Sequence, residues 1–252
     1  MKTIKNVKVA GIAVFVLVFA LASANAGWAD YPTKPIALIV PYSAGGVSDS
    51  ISRILADVAK GYIDQPITVV NRPGGSGTIG VLELTKAKPD GYTISFASNS
   101  EASSNLHQVQ AQFTINDYDA ICRVGTMMVT LATSKHQWKD LKEFVAWAKA
   151  NEGEFTAGVP GLGTIVRLTG EQFAKKAGFK LKVVPFQGSG PLIPAVLGGH
   201  VDVGFLNVPE VSPHYKAGKM RIVAVFGDSR SKVLPDVPTA REQGFDIAGG
   251  AV

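Results

Sequence analysis

Short apolar runs of β character alternate along this chain with stretches in which apolar residues recur every three or four positions, and the change of period falls at glycine. The run Ile36–Val40 stops at Pro41, passes through Gly45 and Gly46, and enters a helix from Asp49. There Ile51, Ile54, Leu55, Val58 and Ala59 stand at i, i+3, i+4, i+7 and i+8, which predicts one buried face. Next come a strand at Ile67–Val70, the glycine-rich loop Asn71–Gly77, a helix from about Thr78 to Lys86, a turn at Pro89–Gly91 and a strand at Tyr92–Ala97. The second half repeats this grammar. Phe155–Thr164 opens a helix to about Lys176; Leu181–Val184 runs through Pro185–Gly190 into a helix ending at Leu197, and Val201–Leu206 follows as a strand. Strands alternating with helices imply parallel α/β sheets, with the glycine loops at the carboxyl ends of the strands, where open sheets bind ligands.

Val69-Val70 before Gly75, Ser76 and Gly77 is echoed by Val183-Val184 before Gly188, Ser189 and Gly190, so the chain reads as two similar α/β units. Long β-type stretches at Tyr118–Thr133 and Met220–Phe226 lie between them, and two extended crossings make a hinge on which the units close. One continuous sheet, with these stretches as ordinary core strands, is the alternative. The expected division is a leader over 1–26, a first lobe from 27–124 with 226–252, and a second lobe over 125–225. The leader rests on Lys2, Lys5 and Lys8 ahead of an apolar run from Val9 to Ala22 and a small-x-small exit at Ala24–Ala26, the pattern of a cleavable secretory signal. No cysteine follows that run to anchor a lipid, and the mature protein is expected to be exported; the periplasm as its location is what the resemblance given below implies.

Charge narrows the partner. Of 25 Lys and Arg, three lie in the leader, leaving 22 against 20 acidic residues, without a basic block or an aromatic-interleaved basic stripe. That pattern excludes a nucleic-acid partner and suits small anions. Cys122, the single cysteine, sits in an apolar-leaning run and reads as a buried structural thiol. The four histidines, His107, His136, His200 and His214, are scattered without ligand spacing, so no metal is expected. Gly75–Gly80 spells G-x-G-x-x-G, yet Asn71, Arg72 and Pro73 separate it from the strand, and an exported protein meets little dinucleotide. No cofactor and no catalytic residue is assigned. An exported hydrolase or transferase using Ser43, Ser76 or Ser189 stays open as a rival, although no base is evident to activate the serine.

The loop Pro41–Asp49 has the physics of an anion trap. Proline ends the strand, Gly45 and Gly46 leave the turn uncovered, and Ser48 or Asp49 can cap a helix whose free N–H groups and positive end stabilise a carboxylate or phosphate. Asp49 either caps that helix or accepts a hydrogen bond from the ligand. Arg72 and Arg167 have the chemistry for a carboxylate clamp, but each is as well placed to brace a loop.

Several motifs together resemble the tripartite tricarboxylate transporter receptors, the TctC or Bug family. They are Tyr31–Ile36, Val40–Gly46 with Asp49, Asn71–Gly77 with Ile79 and Gly80, Pro89–Tyr92, Pro185–Ser189, Leu197–Asp202, Ala217–Lys219 and Leu234–Thr239. The resemblance implies a monomeric, two-lobed receptor of the type II periplasmic-binding-protein kind. It captures a carboxylated metabolite (a di- or tricarboxylate, an aromatic acid or an acidic amino acid) and delivers it to membrane permease subunits. It further implies that the ligand carboxylate lies against Tyr42, Ser43, Ala44, Gly45 and Gly46 of one lobe, faced by Gly161, Gly163, Thr164, Gly188 and Ser189 of the other. Family members continue beyond the segment at Leu234–Thr239, so the first lobe is expected to be incomplete at Val252, and a truncated, non-functional remnant is a further alternative.

Overall fold

The computed structural model describes residues 31–135 and 137–247. The expected leader, His136 and the last five residues lie outside them. Among the described residues eight strands and eight α-helices follow in order: β1 Ile36–Val40, α1 Val47–Ala59, β2 Ile67–Asn71, α2 Thr78–Thr85, β3 Thr93–Ser95, α3 Asn99–Ala102, α4 Ser104–Gln108, β4 Val129–Thr133, α5 Leu141–Ala150, β5 Thr156–Val159, α6 Ile165–Ala177, β6 Lys182–Pro185, α7 Ser189–Leu197, β7 Val203–Asn207, α8 Val208–Lys216 and β8 Arg221–Phe226.

Two sheets carry the two lobes. The first has the order β2-β1-β3, all parallel, with Ile39 opposite Val70 on one side and Ser95 on the other. The second has the order β6-β5-β7-β4-β8, in which β4 alone runs against its neighbours. Strand β7, Val-Gly-Phe-Leu-Asn, is buried at every position because β5 and β4 flank it and helices cover both faces. Side chains alternate across a strand. Phe205 therefore joins an aromatic layer with Phe144, Phe173 and Phe226, while Leu206 joins an aliphatic one with Leu192, Val196 and Leu234. Helix α6 is set by its ends: Thr164 accepts from the Arg167 N–H at 3.2 Å, and Gly178 closes the helix in the left-handed conformation with Lys175 and Lys176 in the last turn.

The described residues differ from the sequence reading in four places. Helix α1 buries Val47, Ser48, Ser52 and Ala56 and leaves Ile54 and Val58 exposed, the reverse of the expected apolar face. A sheet only three strands wide offers a narrow surface, and the small side chains Ser52 and Ala56 allow the helix to sit close to it. Of Tyr118–Thr133 only Val129–Thr133 is a strand, and Cys122, expected to be buried, is exposed in the preceding segment, where Ile121 and Val124 are exposed too. Strand β8 pairs with β4 inside the second sheet. The chain after it, expected in the first lobe, packs on the second: Val225 and Ala240 exchange backbone bonds with Pro238 and Val225, Leu234 and Val237 enter the aliphatic layer, and Ala240 and Ile247 enter the aromatic one. Those apolar residues find in the five-stranded sheet the larger surface to cover.

Candidate functional site

The glycine loops of the two lobes meet edge to edge. Ser43 N–H donates to the Gln187 carbonyl at 3.0 Å, and a Cβ placed on Gly190 would lie 2.1 Å from the Ala44 carbonyl oxygen. A second seam lies alongside, where Gly163 N–H donates to Ser76 Oγ at 3.0 Å, Ser104 Oγ donates to the Gly163 carbonyl at 2.5 Å, and Ile165 N–H donates to Ser100 Oγ at 3.1 Å. The lobes are thus closed upon each other.

Between the seams lies a cavity of about 40 Å³, lined among others by Tyr42, Gly46, Val47, Ser48, Ser100, Thr164, Ser189, Asn207 and Glu210. That is room for a water or two, far below the several hundred Å³ of a ligand pocket, so a metabolite enters only if the lobes part. A larger hollow of about 600 Å³ lies on the first sheet beside the Arg72–Glu83 ion pair. It is broad and open, with few converging polar groups, so the cleft between the glycine loops is the better candidate.

Of the residues expected at the site, Tyr42, Gly46, Thr164 and Ser189 line the cavity. Ser43 and Ala44 form the first seam, and Gly188 belongs to it: its N–H donates to the Pro160 carbonyl at 3.0 Å, and a Cβ there would press on Tyr42. Gly161 and Gly163 face Ser76 and Asn105 in the second seam, and the Tyr42 hydroxyl donates to the Ser76 carbonyl at 3.3 Å. Gly45 takes a positive φ of 84°, and its N–H donates to Asp49 Oδ2 at 3.0 Å. Asp49 braces this loop from behind. Its carboxylate also holds Arg53 at 2.9 Å and Asn71 at 3.0 Å; burial pushes its pKa up, but these bonds outweigh burial and leave it below the usual carboxylate range. Arg72 pairs with Glu83 at 2.7 Å and Arg167 with Glu171 at 3.3 Å.

Two buried carboxylates are not among the residues expected at the site: Glu210 lines the cavity, and Glu101, noted in the sequence only as the acidic residue beyond Gly75–Gly80, holds the Tyr42 hydroxyl. Glu101, buried at the start of the first lobe's α3, accepts from the Tyr42 hydroxyl at 2.5 Å and from Ser98 N–H and Oγ, both at 2.7 Å. Burial raises its pKa despite those bonds, and burial together with the Glu101 charge pushes Tyr42 well above the usual phenol range. Glu210, buried in the first turn of the second lobe's α8, accepts from Asn207 N–H at 2.6 Å, from the Ser189 hydroxyl, and across the cleft from Val47 N–H at 3.4 Å. Burial raises its pKa too. A glutamate three residues after an Asn N-cap signals a capping box, which gives Glu210 a local reason without revealing that it faces the opposite lobe.

Among the described residues no Lys, Arg or His lines the cavity. Among the described residues no group of three or more His, Cys, Asp or Glu is placed to hold a metal ion, and no helix is long and apolar enough to cross a membrane.

Comparisons with known proteins agree with this architecture. Residues 51–250 match the profile of the tripartite tricarboxylate transporter family receptor, beginning inside α1 just beyond the first glycine loop. The chain is 33% identical over 246 residues to a protein of the gbd 5' region in Cupriavidus necator, covering 94% of this chain and 73% of that one. It is also 33% identical over 219 residues to Protein BugT of Bordetella pertussis, covering 85% and 67%. Among solved structures it resembles a periplasmic transporter at 32% identity and a TM-score of 0.81, covering 88% of this chain and 75% of that one. Rpa4515 of R. palustris, solved with adipate, gives 27% and 0.80 over 88% and 75%; MatC of Rhodopseudomonas palustris, solved with bound malate, gives 25% and 0.79 over 88% and 76%. The family consists of transport receptors, so the rival reading of a serine hydrolase or transferase falls. A two-lobed α/β fold closed at its glycine loops and a profile match over most of the sequence lead to one assignment: this chain belongs to the TctC/Bug family of tripartite tricarboxylate transporter receptors.

Proposed function

We propose that this chain is an exported receptor that captures a small carboxylated metabolite between its lobes and presents it to the membrane permease of a tripartite transporter. The observation that carries the reading is the meeting of Ser43–Gly46 with Gln187–Gly190 at the N-terminus of α1. The first N–H groups of a helix lack intrahelical partners and sit at its positive end, so they favour an anion. Gly46 leaves them uncovered, and one of them, on Val47, already has a carboxylate oxygen 3.4 Å away. A ligand carboxylate held there and touched by the second lobe favours the closed form over the open one, and only such differential contact shifts a two-state equilibrium. The relatives solved with adipate and malate support a carboxylate as the anion. The leader pattern at the N-terminus and the periplasmic relatives support export.

Thermal unfolding of the purified protein against a panel of mono-, di- and tricarboxylates tests this reading. A melting temperature that climbs with the concentration of one carboxylate class, as mass action requires, is the expected outcome. A folded protein that responds to none of them overturns it.

A further inference from the structure

We infer that Glu210 couples ligand capture to the uptake of one proton: a carboxylate enters the cleft as the anion and is held there by a hydrogen bond from the protonated Glu210 carboxyl. The inference rests on the carboxylate-receptor reading and adds the proton that accompanies the ligand. Three observations support it. Glu210 is buried and lines the cleft cavity, and its Oε1 reaches the opposite lobe, 3.4 Å from Val47 N–H at the N-terminus of α1. The same oxygen accepts from the Ser189 hydroxyl while Oε2 accepts from Asn207 N–H at 2.6 Å, so the second lobe alone fixes where the carboxylate stands. Among the described residues the cavity wall contains no cationic side chain, so a second negative charge there meets no counter-ion.

In the closed, empty protein Oε1 takes the place at the α1 N-terminus that a ligand carboxylate takes in the bound one. An incoming anion receives Val47 N–H, Glu210 keeps its bonds to Asn207 and Ser189, and two carboxylates then stand side by side away from bulk water. Like charges sharing such a site raise the proton affinity of one of them, and a proton between two oxygens replaces repulsion with a charge-assisted hydrogen bond. Glu210 carboxylate, ligand carboxylate and one proton from a buffer acid become a Glu210 carboxylic acid that donates to a ligand still anionic. The proton goes to Oε1, since Oε2 already accepts from a backbone N–H, and the Ser189 hydroxyl rotates to suit. The elements around Glu210 supply no charge to compete. Strands β4 and β7 and helix α7 contain no ionisable side chain, β8 has only Arg221, which donates to the Lys139 carbonyl, and Asp49 of α1 is turned to Arg53 and Asn71. Tyr42, ahead of α1, feels the Glu210 charge and stays neutral, with Glu101 bound behind it; His214, one turn along α8, does not line the cavity. Burial already raises the Glu210 pKa in the empty protein, and the charge of the ligand raises it further.

Titration calorimetry of the purified protein with acetate, malate, adipate and tricarballylate tests the inference between pH 7 and pH 9, where all four are ionised in solution. Each titration is run in two buffers of different ionisation heat, so that the difference in apparent binding heat counts the protons taken up. For a ligand that binds, uptake is expected to exceed about half a proton per ligand within this range, and affinity to be at least about fivefold weaker at pH 9 than at pH 7. Glu210→Gln, whose amide donates without taking a proton from solution, should abolish the uptake and hold the affinity within about twofold across the range. At pH 9 it should bind more tightly than the natural protein. Glu101→Gln removes a buried charge that does not line the cavity, and should leave the proton count in place. Binding by the natural protein without uptake overturns the inference while the carboxylate receptor stands, and this count alone decides if a variant does not fold. Uptake that persists in Glu210→Gln, or that vanishes in Glu101→Gln, overturns the assignment to Glu210. A folded protein that binds none of the four overturns both readings.

Discussion

At Gly190 the lobes approach more closely than any side chain permits, and the consequence is separable from folding. A Cβ there would lie 2.1 Å from the Ala44 carbonyl of the opposite lobe, yet Gly190 sits in the first turn of α7 at an ordinary helical φ. Gly190→Ala should therefore fold normally, with alanine the better helix former, and fail to close. We expect at least tenfold weaker binding of whichever carboxylate stabilises the natural protein, and a larger radius of gyration in solution scattering; an unchanged affinity and radius would refute the closure geometry. Asp49 makes the opposite case, acting behind the loop. Asp49→Ala removes the acceptor for Gly45 N–H and the partner of Arg53 and Asn71, and should cost about 1–3 kcal/mol in urea unfolding. Its lowered pKa fixes the sign: the stability that Asp49 contributes is present above the ordinary carboxylate range and is lost as pH falls through the lowered value. Gly45 and Gly46 as an uncovered turn were legible in the sequence because a strand, a proline and two glycines within one short segment have a local physical meaning; Asp49, expected to cap α1 or meet the ligand, instead accepts from Gly45 N–H, and Gly46 is the N-cap without a side-chain bond. Gly190 as a point where backbone meets backbone between the lobes was not, since its meaning lies in Ala44, on the other lobe.

Elements were legible where period and punctuation agreed. Strand β2, helix α2, helix α6 and helix α7 fall within a residue or two of their expected bounds because Pro66 precedes the strand and glycine or threonine marks each helix start. The burial of α1 was not, since Ile51, Ile54, Leu55 and Val58 form a helical stripe whether or not a surface exists to cover it, and the narrow first sheet covers Ser52 and Ala56 instead. The same spacing at Leu141, Phe144, Val145 and Ala148, behind the capping Asp140, marks α5, which the alternation of β-runs and glycine loops does not predict. Allegiance of the chain after β8 is a tertiary property, decided by which core its apolar residues reach. Ile247 is 6% exposed and shares the aromatic layer with Phe173, whose ring Phe245 meets edge-on at 5.4 Å. Ile247→Ala should cost about 2 kcal/mol, the low end for such a truncation. Hydrogen exchange should show the loosening in α6 and β8 while β1 and β2 keep their protection. Loss of protection confined to β1–β3 would return this segment to the first lobe.

For the molecule as a whole, two buried carboxylates stand near the cleft: Glu210 of the second lobe lines the cavity, and Glu101 of the first holds the hydroxyl of Tyr42, which lines it too. Tyr42 stands between them in electrostatic terms: both charges disfavour its ionisation, so it remains a hydrogen-bond donor to Glu101 throughout the accessible pH range. Burial raises the pKa of each glutamate above its unfolded value near 4.3. Over the window from that value up to the raised one, the folded protein binds more protons than the unfolded chain, so stability falls as pH rises, by up to about 1.4 kcal/mol per pH unit for each group. Asp49 and Asp202, whose pKa values are lowered, act with the opposite sign and only below the ordinary carboxylate range, so the two windows do not overlap. Urea titrations should accordingly show unfolding free energy declining as pH rises above the ordinary carboxylate range. The double variant Glu101→Gln with Glu210→Gln, which keeps the shapes and removes the charges, should flatten that decline and leave the loss of stability below pH 4 in place. An identical slope in the variant would mean that both carboxylates are solvated in solution. The slope thus reports on their burial directly, because the charges are costly only while water is excluded from them.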